Sequence, residues 1–103
     1  MKKYVDVIVP LPIASQYTYL LPSEMWKSAE VGCRVVVPFG KKKYYTGVIV
    51  KVHDAAPEGY ETKEVEELLD GSPVILPRQF KLWEWLASYY LCTLGDVYKA
   101  ALP

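Results

Sequence analysis

Histidine is nearly missing from this 103-residue sequence: there is one, His53, in a polar stretch. A lone histidine with no nucleophile at a telling spacing gives little ground for acid–base or covalent catalysis. Cysteine is almost as scarce. Cys33 and Cys92 lie far apart and match no metal-ligand spacing, so no metal site and no catalytic residue is expected. A thiol enzyme working through Cys33, which follows Gly32, is the weakest reading of the chain, because nothing identifies a base for it. The phosphate loop of nucleotide hydrolases is missing too. Val37-Pro38-Phe39-Gly40-Lys41 lacks the first glycine, the loop length and the hydroxyl, so this chain is not expected to hydrolyse ATP. No run approaches the ~20 apolar residues of a membrane span. The opening Met1-Lys2-Lys3-Tyr4-Val5-Asp6 is charged but lacks the apolar core of a secretion signal. The expectation is a soluble, reducing, cytoplasmic setting with no membrane partner and both thiols free.

Net charge is also zero, which on its face disfavours a nucleic-acid partner. The two halves differ, however. Residues 1–53 hold eight Lys/Arg against three Asp/Glu, and residues 54–103 hold four against nine. What the chain has in excess is aromatic rings: nine Tyr, three Trp and two Phe. That is more than a core this small can hide, so some rings are expected to face solvent or a ligand.

The pattern along the chain predicts one domain over residues 1–103, with no repeat or low-complexity tract. Tyr4–Val9 is β-rich and ends at Pro10-Leu11-Pro12, where prolines stop pairing. Gln16–Leu21 alternates, with Tyr17 and Tyr19 on one face of a short strand and Thr18 on the other. Arg34–Val37 is a β-branched run closed by Pro38-Phe39-Gly40, and Lys41-Lys42-Lys43 reads as a charged loop or hairpin tip. Tyr44–Val52 is the longest strand candidate, and Gly47 inside it marks a bulge or a sharp bend. Thr62–Leu69 fits a helix or a final strand equally well. Glu64, Glu66, Glu67 and Asp70 read as a solvated acidic face.

From Pro77 the period changes. Phe80, Trp83, Leu86, Ala87, Tyr90 and Leu91 recur at helical spacing, Gly95 breaks the run, and a shorter helix is expected over Asp96–Ala101. The fold class is therefore α+β: a small, mainly antiparallel, partly open β-barrel of four to five strands with a C-terminal helix packed on it.

Single-stranded nucleic acid is held by rings that stack bases and cations that follow phosphates. Tyr17 and Tyr19, with Arg34, Lys41, Lys42, Lys43 and Lys51 in the same basic half, fit that chemistry. The same residues fit a plainer reading equally well, with core tyrosines, a solubilising lysine tip and a barrel that docks other proteins.

Three blocks of sequence resemble a known family. They are Val9-Pro10-Leu11-Pro12-Ile13-Ala14-Ser15-Gln16-Tyr17-Thr18-Tyr19-Leu20-Leu21-Pro22; Gly32-Cys33-Arg34-Val35-Val36-Val37-Pro38-Phe39-Gly40-Lys41 with Gly47-Val48-Ile49-Val50; and Trp85-Leu86-Ala87-Ser88-Tyr89-Tyr90 leading to Leu94-Gly95-Asp96-Val97 and Ala101-Leu102-Pro103. In order and spacing they are similar to the amino-terminal domain of the PriA-type replication-restart helicases. The resemblance implies a non-catalytic module that recognises the 3′-terminal nucleotide of a nascent strand at a stalled fork. It implies a parent that is an ATP-dependent 3′-to-5′ DNA helicase. In such a parent ATP with magnesium and zinc would belong to parts not represented here, leaving this chain without a cofactor. The implied partners are the fork DNA and, through the full-length protein, primosome and single-strand-binding proteins, with the domain itself a monomer. The alternative is a protein-interaction β-barrel that docks replication proteins.

Residue by residue, the resemblance implies a nucleotide pocket at Tyr17, Thr18, Tyr19, Gly40 and Lys63. The middle position of the first triplet is often aspartate in that family. Here it is Thr18, an uncharged and weaker acceptor.

Overall fold

In a computed structural model, which describes residues 2–12, 16–59, 61–90 and 92–101, the chain forms five strands followed by two helices. The strands are β1 (Lys3–Ile8), β2 (Tyr17–Leu21), β3 (Arg34–Pro38), β4 (Tyr44–His53) and β5 (Glu67–Leu68), and the helices are α1 (Pro77–Tyr90) and α2 (Leu94–Ala101). They make one sheet in the order β2-β1-β4-β3-β5, antiparallel at every pairing.

The alternation of the strands determines the curl. Val5, Val7, Tyr19, Leu21, Val35, Val37 and Ile49 point to one side and form a buried cluster with Cys33 and Val65. Closing that cluster from water requires the sheet to fold over it, and residues 63–69 complete the closure. The Leu20 amide donates to the Lys63 carbonyl and the Val65 amide to the Leu20 carbonyl, at the β2 edge. A few residues on, the Glu66 amide donates to Val36 and the Leu69 amide to Arg34, at the β3 edge. One segment thus ties both free edges and satisfies backbone groups that an open sheet would leave bare. The stretch that fitted helix or strand equally well is consumed by this pairing, and only Glu67–Leu68 counts as a strand. The α+β half-barrel expected from the sequence is what forms.

The reverse face of the sheet carries the helices. Ile8 and Val48 pack with Ile75, Trp83, Val97 and Tyr98 in a second cluster, and Phe80, Leu86 and Ala87 complete the inner stripe of α1. Tyr90, counted on that stripe from its spacing, is exposed. Leu91, Ile13-Ala14-Ser15 and Leu102-Pro103 lie outside the described residues.

Two glycines differ in role from their sequence reading. The register of β1 against β4 slips between Asp6 and Val7, so that Lys51 faces Asp6 while Ile49 faces Val7. The extra residue is Val50, and the bulge is therefore not at Gly47. Gly47 instead pairs with Val35, and a Cβ there would press on Val7 and Ile8 of β1. Gly95 does not break a helix. It lies in the first turn of α2, where a Cβ would strike the carbonyl oxygens of Val9 and Leu11. Its bareness lets α2 seat directly on the chain leaving β1.

Candidate nucleic-acid interface

At one end of the half-barrel, where β2 approaches the end of β3, lies a pocket of about 470 Å³. Tyr17, Thr18 and Tyr19 form one wall, Pro38, Phe39 and Gly40 another, and Glu61 with Lys63 the rim. All five positions implied by the resemblance therefore border one cavity.

The two tyrosines do different things. Tyr19 is 4% exposed and belongs to the core, and its hydroxyl donates to the Pro38 carbonyl at 2.8 Å. It anchors the end of β3 and with it the turn that carries Gly40. Tyr17 is half-buried, and its ring meets Phe39 edge-on, with centroids 5.0 Å apart. Phe39 in turn meets Tyr45 at 6.2 Å. Such an edge-on row holds each ring upright against the next. Phe39 was not singled out from the sequence. It lies between Pro38 and Gly40 in the second of the three blocks that carry the resemblance.

Gly40 has φ +72, in the left-handed region that glycine enters at no cost, and nothing lies within 4 Å of the Cβ it lacks. The space a side chain would take is open pocket. Lys63 reaches across, its Nζ donating to the Gly40 carbonyl at 3.3 Å, which leaves the ammonium at the rim. Glu61 beside it is a second feature that residue types alone did not reveal.

Thr18 sits on the opposite side of β2 from the tyrosines, and its Oγ1 donates to Asp6 Oδ1 on β1 at 2.7 Å. His53 Nε2 meets the same carboxylate oxygen at 2.8 Å, so the single histidine is half-buried and engaged with Asp6. A carboxylate at position 18 would stand directly beside Asp6.

The cations divide. Lys41, Lys42 and Lys43 are exposed at the β3–β4 hairpin tip, immediately after Gly40, and the Phe39 amide donates to the Lys43 carbonyl to close that tip. Arg34 is elsewhere. Its guanidinium grips Asp70 through two hydrogen bonds of 3.1 and 3.0 Å, and its own amide donates to Asp70 at 2.8 Å. The hydrogen bonds to Arg34 hold the Asp70 carboxyl below its usual range, and Asp70 raises Arg34 in return. Asp70 thus belongs to a structural pair and not to a solvated acidic face, whereas Glu64, Glu66 and Glu67 are exposed. Cys33 is fully buried, and burial pushes its thiol up, away from the reactive thiolate. Among the described residues no group of His, Cys, Asp or Glu gathers as a metal ion would require, and no helix is long and apolar enough to cross a membrane.

A family model described as the 3′ DNA-binding domain (3′BD) of PriA matches residues 6–103. The chain belongs to the PriA 3′ DNA-binding domain family. The replication restart protein PriA of Haemophilus influenzae is 33% identical over 102 residues, which is 98% of this chain and 14% of that protein. That of Bacillus subtilis is 33% identical over 104 residues, 97% of this chain and 13% of that protein. That of Treponema pallidum is 26% identical over 107 residues, all of this chain and 16% of that protein. The chain thus spans about one-seventh of the length of the curated relatives it matches. Membership makes it a DNA-binding part of a PriA-type protein and implies a role in replication restart.

Proposed function

We propose that the pocket between β2 and the Pro38-Phe39-Gly40 turn receives the 3′-terminal nucleotide of a DNA strand. The observation that carries this reading is the convergence of Tyr17, Thr18, Tyr19, Gly40 and Lys63 on one cavity of about 470 Å³. The chemistry follows from the parts. Tyr17 and Phe39 offer ring surface to a base. Gly40 lets the sugar approach bare backbone. Lys63 at the rim and the three lysines of the tip meet the phosphates that lead away from the end. Tyr19 works indirectly, by fixing where the turn stands.

On this reading the domain does no chemistry itself. It orients, at a branched fork, a parent that is an ATP-dependent 3′-to-5′ DNA helicase acting in primosome assembly in the cytoplasm, alongside primosome and single-strand-binding proteins. ATP with magnesium, and zinc, would be handled by the parts of that parent outside this chain. The domain would act as a monomer.

A pocket of rings and bare backbone suits a neutral 3′-hydroxyl. A 3′-phosphate would bring a bulky dianion there, next to Glu61. Fluorescence anisotropy with otherwise identical oligonucleotides should give tighter binding for the 3′-hydroxyl by at least ~1 kcal/mol, the order of one hydrogen bond. Equal affinity for the two ends would reject terminal recognition and leave generic strand binding.

A further inference from the structure

The outer stripe of α1 is unusual for a helix that covers a sheet. Arg78, Leu82, Trp85 and Tyr89 follow one another at three- and four-residue steps on the side opposite the buried Trp83. Trp85 and Tyr89 are 58% and 65% exposed, and their rings stack with centroids 5.1 Å apart at 20°. Tyr90 meets Tyr89 edge-on at 4.9 Å. Neither core uses Trp85 or Tyr89.

Between α1 and the sheet runs a groove of about 360 Å³ whose polar walls are Gln16, Lys51, Lys81 and Glu84. Gln16 directly precedes Tyr17 on the chain entering β2. Lys51 reaches the groove because of the β4 bulge: the extra residue puts Lys51 on the same side as Val50, which packs against the helix cluster. Lys81 lies one turn before Trp85. Two cations against one acid thus line a groove that is linked along the chain to the terminal pocket through Gln16, next to Tyr17, and to the exposed rings through Lys81, one turn before Trp85.

We infer that α1 provides a second single-stranded DNA site, in which the strand behind the terminal nucleotide passes along Gln16, Lys51 and Lys81 and stacks its bases on Trp85 and Tyr89. The inference rests on the DNA-binding reading but not on a 3′ end. Cations followed by exposed ring faces are the complement of a phosphate chain carrying bases, and the recognition is indifferent to sequence because every base has a face.

The test uses the full chain and a circular oligothymidylate, which has no 3′ end. The account expects the circle to bind, with quenching of tryptophan fluorescence. Replacing both rings, Trp85→Ala with Tyr89→Ala, should weaken that binding at least ~fivefold, the low end for losing one stacked base. It should leave the melting temperature near wild type, since both rings face solvent. Separately, Lys51→Gln with Lys81→Gln should lower the salt slope of circle binding by about two contacts' worth. No binding to the circle, or binding unchanged by the ring pair and by the lysine pair, would overturn the inference and leave the α1 rings as a face for a protein. The two readings fail separately. If 3′-hydroxyl and 3′-phosphate strands bind alike while the ring pair still weakens the circle, the terminal pocket is wrong and the α1 site stands.

Discussion

Tyr17 and Tyr19 are separated by one residue and should fail in different ways when truncated. Tyr19→Ala empties a site that is 4% exposed and removes the hydroxyl bonded to Pro38 at 2.8 Å. Large aromatic truncations in a core cost about 3–5 kcal/mol, and the lost hydrogen bond adds about 1. Small domains have only about 5–15 kcal/mol in total, so the variant should be barely folded, melting roughly 15 °C or more below wild type. Tyr17→Ala loses an edge-on contact with Phe39 and part of a half-buried ring. The ring contact is worth about 0.5–1.5 kcal/mol, so melting should fall by only a few degrees. Its affinity for single-stranded DNA, however, should drop by about 1–3 kcal/mol, one stacked base. Melting by circular dichroism and binding by anisotropy, done on the same preparations below the lowest transition, separate the two. A Tyr17→Ala protein that melts as early as Tyr19→Ala and binds normally while folded would refute the division.

Three further outcomes follow from the geometry. Gly40→Ala forces an alanine to φ +72 and places a methyl in the open pocket; it should cost about 1–2 kcal/mol of stability while weakening 3′-end binding several-fold, and a variant that binds as well as wild type would show that nothing approaches that backbone. Asp70 has its carboxyl lowered by Arg34, so its stabilisation is fully present above the ordinary carboxylate range and is lost as pH falls through the lowered value. Asp70→Asn should therefore flatten the acid limb of the stability curve by about 1 kcal/mol, modest because the Arg34 side chain is 43% exposed, and an unchanged acid limb in urea titrations would contradict the pair. Cys33, fully buried with its thiol pushed up, should resist iodoacetamide in the folded protein while the half-buried Cys92 is labelled first, read by mass spectrometry; preferential labelling of Cys33 would reopen the thiol reading.

Much of the fold was legible because it rests on local rules. Prolines at 10, 12 and 38 and the alternation of Tyr17-Thr18-Tyr19 mark strands that form within a residue or two of where the pattern puts them. What was illegible depends on distant partners. Residues 63–69 have no period of their own, since their pairing is dictated by the two sheet edges they join. Gly47 and Gly95 read as a bulge and a breaker because the atoms that need their bareness, on β1 and on the chain after it, are far away in sequence. Arg34 sat in the right block and among the right charges, but its partner Asp70 is remote, and only the fold reveals that the cation is occupied. Phe39 and Glu61 enter the pocket on the same terms: residue type gave no hint until the turn and the rim were brought together.

The central claim is that a strand's 3′ end sits between β2 and the Gly40 turn, and amide chemical-shift mapping tests it most directly. Nitrogen-15-labelled full-length chain would be titrated with a dinucleotide bearing a 3′-hydroxyl, too short to reach α1 as well. The account predicts the largest shifts at Tyr17, Thr18, Tyr19, Gly40 and Lys63, much reduced when the 3′ end carries a phosphate. Shifts centred on any other part of the surface, with those five amides unmoved, would contradict it.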